Sequence, residues 1–107
     1  VPRALPGVFV HRTFSENAAA SLLSVDLTFI DGDHSFEGIS RDLNLFAGIT
    51  RFLLAGHDFA PSRFPGIPVA ISHMMANSTE MHRRIGRRFR LPVFLDSDWV
   101  WWLEARA

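Results

Sequence analysis

Two short apolar runs, each stopping abruptly in charged groups, constrain this chain most: Leu27-Thr-Phe-Ile-Asp-Gly-Asp-His-Ser-Phe-Glu37 and Phe52-Leu-Leu-Ala-Gly-His-Asp-Phe59. Short apolar runs bounded by Gly and Asp are the pattern of strands buried on both faces. Between them Phe36, Ile39, Leu43, Phe46 and Ile49 recur at spacings of three and four, the period of an amphipathic helix. Strand, helix and strand in that rhythm predict a βαβ unit, with the two runs parallel in one sheet. Their carboxyl ends then share an edge. Asp31, Asp33, His34, His57 and Asp58 converge there, where open α/β sheets bind ligands.

The flanking segments extend this α/β reading. Val1 to Pro6 reads as an irregular, Pro-containing lead-in, and Gly7–Arg12 as a short strand. Ser15 stands ahead of the Ala-rich run 16–23 as a helix cap. The next strand spans Asp26–Ile30, and Asp33 or Ser35 caps a helix from Phe36 to Gly48. After a strand at Phe52–Ala55, a loop with three prolines leads to a helix opened by Pro68, with Met74 and Met75 as core filler. Phe89–Leu95 and Trp99–Leu103 read as two strands joined at Asp96-Ser97-Asp98. The last strand is apolar on both faces and belongs between neighbours, with Trp99, Trp101 and Trp102 in sheet packing.

Composition narrows the function classes. A chain of 107 residues, nearly half apolar and with ten Phe, suits one small globular domain, taken as 1–107. Formal charge is balanced, so no global field draws the molecule to nucleic acid or a membrane surface. Without Cys there is no disulfide framework, thiolate zinc site or Cys nucleophile. No apolar run approaches the roughly 20 residues needed to span a bilayer, and a cytoplasmic setting is the default expectation. One local exception is the segment Arg83–Arg90, with five arginines in eight residues. Such a run grips phosphates, as in RNA, or forms a solvated helix end.

The pair FIDGDHSFEG and LLAGHDF resembles the fourth and fifth strands of class I S-adenosylmethionine-dependent methyltransferases. The nearest subgroup is the small-molecule O-methyltransferase type with IDGDHSYEG and AGHDY motifs, similar to the macrolide sugar O-methyltransferases. The resemblance implies the C-terminal half of a Rossmann-like fold, with parallel strands and a reversed C-terminal strand slotted into the sheet. No Gly-x-Gly turn occurs in the chain, so S-adenosylmethionine binding requires the other half, supplied upstream or by another chain, a homo-oligomer included. In place of the family's Pro-Gly-Gly turn, Gly48-Ile-Thr-Arg51 precedes the fifth strand.

The resemblance also implies chemistry. Matched position by position, Asp31 is the first ligand of a divalent cation, Mg or Mn, and His57 and Asp58 are the adjacent pair that completes it. His57 departs from the acidic pattern, and an imidazole favours softer ions than magnesium. His34, three residues beyond the first ligand, takes the general-base position, and the acceptor is a hydroxyl of a small molecule. An imidazole titrates near neutral pH, as proton abstraction in the cell requires. The plainer reading stays open beside this one, because Asp-Gly-Asp is ordinary turn chemistry. The rival function is a non-catalytic α/β interaction module that docks to a partner or RNA through Arg83–Arg90.

Overall fold

The computed structural model describes residues 3–86, 88–89, 94–95 and 100–106. In chain order the elements are β1 (Arg3–Leu5), β2 (Val8–Phe9), α1 (Ser15–Ala20), β3 (Val25–Ile30), α2 (Phe36–Ala47), β4 (Thr50–Gly56), α3 (Gly66–Ala76), α4 (Ser78–Ile85), β5 (Arg88–Phe89), β6 (Phe94–Leu95) and β7 (Trp101–Arg106). The chain is an α/β domain with a mixed sheet. β3 and β4 pair in parallel through Thr28↔Leu54 and Ile30↔Gly56, while β7 runs antiparallel along the far side of β4. Short β5 and β6 both pair with β7, so β7 lies between neighbours, as its apolar faces predict. The middle of the expected strand Phe89–Leu95, the turn at Asp96–Asp98 and Trp99 lie outside the described residues.

α2 forms because its apolar stripe falls on one face, and Ile39, Leu43 and Ala47 are buried there. They meet Ile67, Ala70, Ile71 and Met74 of α3 over Ile30, Leu54, Trp101 and Leu103 of the sheet. Each fully buried Leu or Ile in such a cluster contributes roughly 1.5–3 kcal/mol relative to exposure. Met74 and Met75 belong to this core, as expected. The opposite alternation of β3 leaves Leu27 and Phe29 about half exposed.

Several boundaries differ from the sequence reading, each for a local reason. Val8–Phe9 pairs with Arg3–Leu5 in a small hairpin apart from the main sheet, where a lead-in followed by a single strand was expected. Gly7, with φ 79°, makes that turn. Ser15 begins α1 rather than capping it, and Phe14 is the cap residue without a side-chain bond. α3 starts at Gly66 because Pro65 already has a helix-compatible φ of −64°, which leaves Pro68 inside the first turn. Helix α4 was not anticipated, and its Gly86 terminator adopts the left-handed conformation.

At the start of α2 the cap is Ser35, whose Oγ accepts a hydrogen bond from Gly38 N at 3.1 Å. Asp33 takes the complementary role, its Oδ1 accepting from Ser35 N at 2.9 Å. That backbone hydrogen bond favours the ionised form and lowers the Asp33 pKa below its ordinary value of 3.8. A lowered folded-state value means that the associated stability is present above 3.8 and is lost as pH falls through the folded value. Replacing Ser35 by Ala should cost about 1 kcal/mol. Melting followed by circular dichroism should then show a Tm lower by about 4–8 °C, whereas an unchanged Tm would mean that Asp33 alone fixes the helix start.

Candidate functional site

Both strand ends deliver charged groups to one place. Asp31 is the first residue after β3, and Asp58 lies two residues after the end of β4. Because β3 and β4 are parallel and in register through Ile30↔Gly56, these positions share the carboxyl edge of the sheet. His34 reaches the same point from the turn into α2. Its Nε2 lies 2.6 Å from Asp58 Oδ2 and 3.8 Å from Asp31 Oδ1. One ligand atom each from Asp31, His34 and Asp58 falls within 4.8 Å of the other two.

The surroundings hold this trio in place. The His34 ring lies against Phe64 of the loop after β4, with centroids 4.6 Å apart. Asp58 adopts φ 62°, a left-handed conformation that Asp tolerates better than most residues, and this turn aims its carboxylate back at His34. His34 and Asp58 side chains are 28% and 21% exposed, so their hydrogen bond sits in a partly desolvated setting and is stronger than a surface pair. Asp31, at 57% exposure, forms the open side.

His57, expected as a metal ligand, contributes no atom to the trio. Its Nδ1 lies 2.9 Å from Asp58 Oδ1, so the Asp58 carboxylate bridges two imidazoles. Asp33 turns away from the trio and accepts from Ser35 N, bracing the turn ahead of the Ser35 cap. In the arginine segment, Arg83 pairs with Glu80 one turn earlier on α4, while Arg87 and Arg90 lie outside the described residues.

Phe64, which touches the trio, and Asp42, a neighbour of its strand exit, stand outside the sequence reading. Phe64 lies in a Pro-rich loop with no periodicity to mark it. Asp42 had a signal, a carboxylate within the apolar stripe between Ile39 and Phe46. It is buried in the structure, with its Oδ2 close against Gly32 at the exit of β3.

Two carboxylates and an imidazole converging on an open sheet edge suit hard or borderline divalent cations. A carboxylate oxygen has two lone pairs, so Asp58 retains acceptor capacity beyond its two histidine contacts. The same geometry also makes His34 and Asp58 a base-and-orienter pair. Among the described residues, no helix is long and apolar enough to cross a membrane. No protein-family model matches this chain, and no curated protein matches it either.

Proposed function

We propose that this chain is the C-terminal half of a Rossmann-like, class I S-adenosylmethionine-dependent methyltransferase domain acting on a hydroxyl of a small molecule. The observation that supports this reading most is the meeting of Asp31, His34 and Asp58 at the ends of two parallel strands. The reversed β7 beside β4 agrees with it.

Asp31 and Asp58 would hold a divalent cation, Mg or Mn, and their carboxylate oxygens fit that role. When bound, the ion acidifies and orients the acceptor hydroxyl, and S-adenosylmethionine held by the other half of the fold supplies the methyl group. His34 serves as general base. Its Nε2, the atom that faces both carboxylates, would take the hydroxyl proton as the oxygen takes the methyl group, and Asp58 Oδ2 would accept from the imidazolium so formed. Asp58 orients the imidazole, and Phe64 holds the ring. His57 steadies Asp58 from its other oxygen.

The test is transfer of radiolabelled methyl from S-adenosylmethionine to hydroxylated small molecules by this chain joined to a half bearing the glycine-rich turn. His34→Ala should lower turnover about 100-fold or more, the usual contribution of a positioned base, without lowering Tm by more than a few degrees. Turnover unchanged by His34→Ala would reject the assignment.

A further inference from the structure

A cleft opens on the helical layer, lined by no residue of the trio or of β3. Helices α3 and α4 meet at Asn77, whose side-chain Nδ2 donates to the His73 carbonyl at 2.9 Å and braces the corner. This corner and α2 enclose a cavity of about 310 Å³. Leu43, Ala70, Met74 and Met81 form its apolar floor, and all four are buried. Two of them are Met, whose flexible thioether adapts to irregular apolar shapes. Such a floor takes the apolar body of a small ligand, and the volume falls at the lower end of ligand cavities.

The polar rim decides what head group that body carries. The ionisable residues lining the cavity are His73, Glu80 and Arg84. Glu80 is already paired with Arg83, one turn further along α4. Among the described residues no ion pair reaches Arg84, and no hydrogen bond reaches the ring nitrogens of His73, whose ring meets Phe36. Asn44 adds an amide from the α2 side. The charge left uncompensated is therefore the Arg84 guanidinium, a fork of donors with no acceptor. A planar carboxylate fits that fork, whereas a cationic head would meet Arg84 as a like charge.

We infer that the cavity between α2, α3 and α4 binds a small apolar carboxylate, with its body on Met74 and Met81 and its carboxylate on Arg84. The cavity uses neither the trio nor the open side of the sheet, so the inference stands apart from the methyl-transfer reading.

The probe is phenylbutyrate, titrated into the whole chain carrying isotope-labelled Met methyl groups and followed by NMR. The three Met of the chain contain their own control, because Met74 and Met81 line the cavity and Met75 does not. The Met74 and Met81 resonances should shift saturably while that of Met75 stays in place. Arg84 is exposed, so Arg84→Gln leaves the core untouched. That variant should weaken binding about fivefold, the upper range for an ion pair open to water, and phenylbutanol should bind the wild type more weakly by a similar factor. The alcohol leaves the protein unaltered, so its result holds even if Arg84→Gln fails to fold. Equal affinity for the acid and the alcohol, or undiminished binding by a folded Arg84→Gln, would overturn the inference. No shift of Met74 and Met81 at millimolar probe, or an equal shift of all three Met, would overturn it as well.

Discussion

Gly56→Ala should destabilise the domain by about 3 kcal/mol, the upper range for overpacking a well-filled interior. A Cβ at this position would lie 2.5 Å from Trp101 Cζ2, 2.6 Å from Cε2 and 2.7 Å from the Ile30 carbonyl oxygen. Trp101 is fully buried and cannot swing away, and the Ile30 carbonyl is fixed in the parallel ladder between β3 and β4. Tm should therefore fall by roughly 10–20 °C, measured by circular dichroism alongside urea unfolding. Trp101→Phe, which shortens the ring at the point of conflict, should make the double variant less unstable than the two single losses predict. Recovery should be partial, since the Ile30 carbonyl stays in place. A loss below about 1 kcal/mol for Gly56→Ala would mean that the sheet is looser than this packing requires.

This position links the core to the site. Gly56 ends β4, and His57 and Asp58 follow it, so any displacement of Gly56 from Ile30 moves the two acidic strand ends relative to each other. A glycine there lets Trp101 of β7 cross close over the strand, which locks the reversed strand to the parallel pair.

The β3–α2–β4 unit was legible in the sequence because its signals are local and agree. Buried strands ending in Gly and Asp, a helix with a clear apolar stripe and a capping Ser all point to one arrangement. The place of β7 was legible from its two apolar faces. The N-terminal hairpin was not, since Pro2 and Pro6 suggested irregular chain and its pairing rests on two short segments. Helix α4 was hidden because its sequence STEMHRRI is mostly polar, and its charges drew attention to phosphate binding instead.

At the site, the two strand-end acids and His34 could be placed from strand direction alone, because both runs end on the same edge. The role of His57 could not. Adjacent residues on an extended chain point to opposite sides, and the left-handed turn at Asp58 decides which of the pair faces His34.

Manganese binding is the most direct check that the acidic ends of β3 and β4 form one ion site. Calorimetric titration of the whole chain with Mn²⁺ should give about one site, and an ion concentration 100 times the Kd should raise stability by about 2.7 kcal/mol. Asp31→Ala together with Asp58→Ala should weaken binding on the order of 100-fold or more, since ligand charge sets affinity at oxygen-rich sites. His57→Ala, which removes only a neighbour of a ligand, should weaken it about tenfold. No heat and no Tm shift at millimolar Mn²⁺, or binding that survives loss of both carboxylates, would contradict a shared ion site at the sheet edge.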